Sequence, residues 1–283
     1  MTDLRRYRIL HKTVMAYEGN ALASHNELRM TPLTEPGQTT LENRIRVRPL
    51  TWSHVYRDAF GTHVMAIEAL TEHGTLDIEA SSTVERIALP AGGGQTMTWE
   101  GLAEPAVRDR HAEWLARTPR TTAGEALRAL AEEAKGDRSP LEAAQEVAQR
   151  VHDTLEYRVG VTGVASSADE VWEAGSGVCQ DFAHVTVAAL RVLGIPARYV
   201  GGYLVPRAEL AVGESSTGES HAWVECWVGE WVQLDPTNNR PVGIDHVVVA
   251  RGRDYGDVPP MKGVYSGPES VTLDVSVTFT RLS

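Results

Sequence analysis

At 283 residues, with 42% hydrophobic side chains, the chain is long enough for two domains of ~150 residues and apolar enough to pack a core without metals or disulfides. Its formal charge of −11 argues against nucleic-acid partners and a polybasic membrane surface, and no stretch approaches a membrane span. MTDLRRYRIL at the N-terminus has no following apolar run of signal-peptide length, and two cysteines make no disulfide framework, so the expected address is the cytoplasm.

From Tyr7 to about Leu89 the sequence predicts short strands. Ile45 and Val47, then Leu76 and Ile78, alternate with polar residues and point one face inward, while Gly61, Gly74 and the segment from Pro32 to Gly37 mark turns. This is an antiparallel β module. The run PAGGG, Pro90 to Gly94, is the expected boundary, dividing the chain into 1–94 and 95–283.

The period then changes. A helix is expected near Ala123 to Lys135, and a second after Ser139, where Pro140 opens the first turn and Glu142 completes a capping box before Ala144, Val147, Ala148, Val151 and Leu155. Ser167 and Glu170 cap a short helix that stops at Gly175. The helix from Cys179 to about Leu193 ends at Gly194 and Pro196. After it the period returns to two, through ARYVGGYLV, HAWVECWV, EWVQLD, HVVVA and VTLDVSVTF. Helices followed by antiparallel strands make the second region α+β. The last strand is suited either to closing a sheet within the chain or to pairing with another chain at an open edge, so oligomeric state stays open.

The chemistry concentrates in GVCQDFAH, Gly177 to His184. A nucleophilic cysteine needs a base, a group that orients the base, and donors for an oxyanion. Cys179 in the first turn of a helix meets unpaired N–H groups and the positive end of the helix dipole. His221, 42 residues on, opens the strand HAWVECWV, and Asp235 ends EWVQLD beyond a tight link at Gly229. His221 and Asp235 lie eight and six residues from that turn, so antiparallel pairing makes them neighbours. Each residue alone has an ordinary reading: a small buried thiol, a satisfied polar side chain and a turn former before Pro236. Spacing leaves both readings open.

Cys226, five residues from His221, falls on the opposite face of the strand and reads as a structural thiol; His184 projects away from Cys179, for a place in the core or in support of the site rather than as a ligand. The other histidines carry no spacing signal. Neither a zinc-type Cys/His spacing nor an EF-hand loop occurs, so no metal and no cofactor is expected.

GVCQDFAHVTVAALRVLGIPARYVGGYL and SHAWVECWVGEWVQLDPTNN resemble the bacterial branch of the transglutaminase-like superfamily, which has a papain-type Cys-His-Asp core. SHNELRMTP and YRDAFG resemble its N-terminal β region, and GRDYGDVPPMKGVYSG its C-terminal signature, so the likeness spans nearly the whole chain. The resemblance implies an α+β fold, an N-terminal antiparallel β module before a papain/transglutaminase-like core. It implies Cys179 as nucleophile, His221 as base and Asp235 as orienting carboxylate. It also implies a peptide or protein amide substrate, attacked through a thioester that water or an amine resolves; the chain's compactness leans towards water. Transamidation of protein glutamine and a non-catalytic binding scaffold are the alternatives.

Around these residues, the Asp254–Tyr255 loop is read either as a rim of the site or as a turn held by Pro259 and Pro260. Asp181 favours the helix start, Gln180 follows the nucleophile, and Trp172 and Tyr157 are candidates for cleft walls, though aromatics are more often core. The polar segment from Pro206 to Ser220, directly before His221, is the candidate gating loop.

Overall fold

The computed structural model describes residues 4–88, 96–163, 165–206, 210–268 and 271–283. Six strands come first: β1 (Leu4–Ala21), β2 (Ala23–Leu28), β3 (Gln38–Arg48), β4 (Trp52–Arg57), β5 (His63–Ala69) and β6 (His73–Ile87). The short helices α1 (Trp99–Ala103), α2 (Pro105–Arg110) and α3 (Ala112–Leu115) precede the longer α4 (Glu125–Lys135) and α5 (Pro140–Thr154). Then follow β7 (Glu156–Tyr157), α6 (Ala168–Ala174), β8 (Ser176–Gly177) and α7 (Cys179–Val192). The chain closes with β9 (Ala197–Leu204), β10 (Ser215–Trp227), β11 (Trp231–Leu234), β12 (His246–Gly252), β13 (Met261–Ser266) and β14 (Val271–Arg281).

The first strands are longer than expected. β1 has 18 residues and β6 has 15, in register from Leu4 opposite Ile87 to Ala16 opposite Thr75. Tyr7, Ile9, His11, Thr13, Met15 and Tyr17 alternate inward along β1, and no Gly or Pro interrupts before Gly19. Hydrogen bonding on both sides, to β6 and β14, holds β1 extended throughout; alternation along a single segment does not reveal such two-sided pairing.

The main sheet runs β12-β9-β10-β14-β1-β6-β3, with β11 added on β10; β13-β2-β5-β4 form a smaller sheet. β14 therefore pairs within the chain, lying between β1 and β10. One sheet crosses the expected division at 94/95, and that PAGGG segment lies outside the described residues, which omit 89–95. A further tie is Gln38, 1% exposed, whose amide donates to the Leu33 and Val248 carbonyls and accepts from Val248 N–H, continuing the hydrogen bonding beyond the edge of β12.

The helices form where their caps indicate. Ser139 accepts from Glu142 N–H and Ser167 from Glu170 N–H, and each Glu reaches back to its cap's N–H. α7 is buried from Asp181 to Arg191 because the sheet covers one flank and α4, α5 and α6 cover the others. Phe182, Val185, Ala189 and Leu190 of α7 share a core with Ala222, Val224 and Cys226 of β10. That packing fixes the N-terminus of α7 beside β10.

Candidate active site

Cys179 is the first residue of α7, half-buried at its start. α6 ends at Gly175 with φ +65°, a left-handed conformation that glycine adopts at least cost. β8 then runs beside β7 and delivers the chain to Val178, the N-cap of α7. Gly177 serves space rather than turning: a Cβ there would come within 2.6 Å of Asp181 Oδ2. That oxygen accepts from Val178 N–H at 2.8 Å and from Thr162 Oγ1 at 2.6 Å, bracing the first turn of α7. Burial raises the Asp181 carboxyl above its ordinary value, against the lowering effect of both hydrogen bonds.

His221 lies in the middle of β10 and not at a strand start, because β10 begins at Ser215. Residues 215–218 pair with β14 and 219–226 with β9, so much of the expected gating loop is sheet. Its polar composition reflects an exposed first half of the strand; residues 207–209 of that segment lie outside the described residues. β10 and β11 pair from Val224 opposite Leu234 to Trp227 opposite Trp231. Continuing this register puts Asp235 opposite Trp223, two residues from His221 on one face: a diagonal pair, and not one directly opposed.

Asp235 Oδ2 lies 3.0 Å from His221 Nε2, leaving Nδ1 as the second ring nitrogen, and the Cys179 side chain is near enough to the imidazole to help raise its pKa. The structure thus brings Cys179, His221 and Asp235 together. It adds two groups that the sequence reading missed. Asn238 donates its side-chain N–H to Asp235 Oδ2 at 2.8 Å and its backbone N–H to Oδ1 at 3.2 Å. His246 Nε2 is 3.2 Å from Asp235 Oδ2, and its Nδ1 is 3.0 Å from Asp245 Oδ1. α5 secures the same turn, since His152 Nδ1 donates to the carbonyls of Pro236 and Thr237.

The DPTN stretch carried a turn signal for Asn238. His246 had none, because it reaches Asp235 only through tertiary pairing: it sits opposite Leu204 of β9, which in turn sits opposite Glu219 of β10.

Burial alone would lower His221, but the bond to Asp235, the Cys179 thiol and the charge of Asp235 raise it to about 9. Its resting form at neutral pH is therefore the imidazolium. Burial works to raise Asp235, yet His221, His246 and Asn238 hold it far below the usual carboxylate range. The contrast is Cys226: buried on the opposite face, its thiol is pushed up to about 12, chiefly by desolvation.

Cys179 and His221 open on a cleft of about 210 Å³ with Gln180, Tyr199 and Tyr255 among its walls. The Asp254–Tyr255 loop is both a rim of the cleft and a turn, though Asp254 rather than Pro259 and Pro260 is what caps the turn. The Tyr255 ring lines the cleft, while Asp254 caps the 255–257 turn by accepting from Gly256 N–H. Tyr255 N–H donates to Nε2 of the buried His184 at 3.1 Å, which gives that histidine a positioning task; burial lowers it to about 3. Tyr157 lines a second groove of about 680 Å³ on the other side of Cys179, whereas Trp172 packs against the core.

His221, Asp235 and His246 also hold three donor atoms within 4.8 Å of one another. Both ring nitrogens point at a single carboxylate oxygen, the geometry of two N–H donors sharing one acceptor, so the hydrogen-bonded cluster already uses the atoms a metal would need.

Residues 128–236 match the transglutaminase-like superfamily, and residues 7–85 match the bacterial transglutaminase-like N-terminal region. An uncharacterized protein of Mycobacterium leprae is 40% identical over 278 residues, covering 98% of this chain and 99% of the relative. An uncharacterized protein of Mycobacterium tuberculosis is 32% identical over 297 residues, covering 98% and 93%. A protein-glutamine gamma-glutamyltransferase of Pseudomonas aeruginosa is 34% identical over 94 residues, 30% of this chain and 14% of that one. Among solved structures, a Cytophaga hutchinsonii protein provisionally assigned as a cysteine protease superposes with a TM-score of 0.79 at 21% identity, covering 99% of this chain and 92% of that one. With both regions matched in order and relatives alike from end to end, the chain belongs to the transglutaminase-like superfamily, in the bacterial branch with the N-terminal β region.

Proposed function

We propose that this protein is a cysteine-dependent amide-bond enzyme in which Cys179 is the nucleophile, His221 the acid and base, and Asp235 the group that orients the imidazole. The observation that carries the reading is the His221–Asp235 contact of 3.0 Å beside a cysteine at the first turn of a buried helix. The Cys179 thiolate attacks the amide carbonyl, and N–H groups at the start of α7, which lack intrahelical partners, lie where an oxyanion develops. The His221 imidazolium gives its proton to the leaving amine. A thioester remains on Cys179, and a second nucleophile, deprotonated by His221, releases it.

Water is the favoured second nucleophile. Cys179 lines both the cleft and the groove containing Tyr157, so solvent approaches the thioester from two sides. Amine transfer is the second reading, supported by the segment shared with the gamma-glutamyltransferase. A thiol-directed electrophile tests the enzyme. Stoichiometric labelling at Cys179, lost in His221→Ala, is expected, and labelling no faster than at Cys226 refutes it. Partition of the acyl-enzyme between water and an added amine then separates the two reactions, with mainly amide product overturning hydrolysis.

A further inference from the structure

The cleft runs against the charge of the whole chain. There are 38 acidic and 27 basic side chains in the sequence, yet among the described residues no carboxylate lines the cleft, while Arg29 and His221 do. Arg29 follows β2 of the N-terminal region and is 8% exposed. Its Nη2 donates to Glu27 Oε2 at 2.9 Å and its Nε lies 3.5 Å from Asp58, but its buried Nη1 has no hydrogen-bond partner among the described residues. A guanidinium presents donors in a fixed fork suited to carboxylates. Arg29 thus places a cationic side chain in the wall of the cleft.

Past Tyr255, which lines both, the cleft meets a groove of about 660 Å³ that holds Arg117, Arg120, Arg253 and Lys262. Its two acids are engaged locally: Asp257 accepts from Arg253 at 2.9 and 3.0 Å, and Asp254 caps its turn 3.7 Å from Arg120. The groove on the other side of Cys179 has no such excess, with Glu219 present and Arg240 paired to Asp245.

We propose that the substrate is an amide flanked by an acidic peptide segment, with one carboxylate on Arg29 and those that follow lying along Arg117 and Lys262. The inference rests on Cys179 being the nucleophile of this cleft. It assigns the N-terminal β region a part in specificity, since Arg29 comes from it. It also gives direction: the acidic residues occupy the Tyr255 side of the scissile bond.

Two reagents test it on the full chain, an iodoacetylated tri-glutamate peptide and its neutral tri-glutamine counterpart. In each, the Cys179 thiolate displaces iodide to form a thioether, so the rates compare recognition with the same chemistry. The tri-glutamate reagent is expected to label Cys179 about ten-fold faster at low salt, despite the protein's net negative charge, with the ratio falling as salt rises. Arg29→Gln lowers the ratio; the exposed substitutions Arg117→Glu and Lys262→Glu do so independently of any effect of Arg29 on folding. Equal rates in the unsubstituted protein, or a ratio untouched by Arg117→Glu and Lys262→Glu, overturn the acidic-substrate reading while leaving the enzyme in place. Failure of both reagents to label Cys179 faster than Cys226 removes the enzyme and this inference together.

Discussion

β10 carries two buried ionic clusters four residues apart. At Glu225, 1% exposed, Arg251 donates to both carboxylate oxygens, Gln233 to Oε1 and Arg198 to Oε2, and Arg198 stacks 3.8 Å above the Trp231 ring. Burial would raise Glu225, but Arg251, Arg198 and Gln233 hold it at about 2. At His221, Asp235 and Asn238 gather at Nε2, with His246 bonded to Asp235 behind them, and the residue also lines a cleft. The first cluster is saturated and can only stabilise. The second keeps one ring nitrogen outside the cluster, and that open valence separates the proposed active site from a structural ion pair of similar burial.

Substitutions that exchange these behaviours test the distinction. Cys179→Ala is expected to abolish electrophile labelling and amide turnover while leaving the melting temperature nearly unchanged, since a small residue at the helix start loses little packing; retained turnover would break the assignment. Asp235→Asn removes the charge that holds the imidazolium, and turnover should fall by about 10² to 10⁴ with the fold intact, measured as kcat/KM. Glu225→Gln should do the reverse. It costs about 3 kcal/mol in denaturant unfolding by leaving buried cations under-compensated, while the folded protein labels at Cys179 at the normal rate.

His246→Gln should lower kcat by about ten-fold with little change in KM, and should move the alkaline limb of the pH profile upward, because Asp235 with one donor fewer holds the His221 imidazolium more strongly. A purely structural role would leave that limb in place. The smallest effect is on stability. His221 has a folded pKa of about 9, above its ordinary value of 6.5, so its contribution is fully present below about pH 6.5 and is lost as pH rises through about 9. Melting temperatures taken across that window should decline, and the decline should flatten in Asp235→Asn.

Local signals were legible where one segment carries its own partner. The capping boxes at Ser139 and Ser167, the stop at Gly175 and the start of α7 at Cys179 all lie where the residues predict, because cap and capped group are three residues apart. His221 and Asp235 were legible for a related reason, since one tight turn joins their strands, though the diagonal offset was not. Arg29 and His246 were invisible. Arg29 and Cys179 are 150 residues apart in sequence, and no period or motif links them.

The sequence by itself determined the α+β order, the starts of α5, α6 and α7, the nucleophile candidate and its family, because these depend on propensity, capping and short-range pairing; the short helices α1 to α3 carried no such signal. Only the tertiary structure decided that β14 returns between β1 and β10, that the first strands run long, and that Asp235 serves two histidines. It also decided that an acidic chain presents a basic approach to its thiol. The physical reason is that charge and hydrogen-bond capacity in a site are set by which distant segments the sheet brings together, whereas composition reports only their sum.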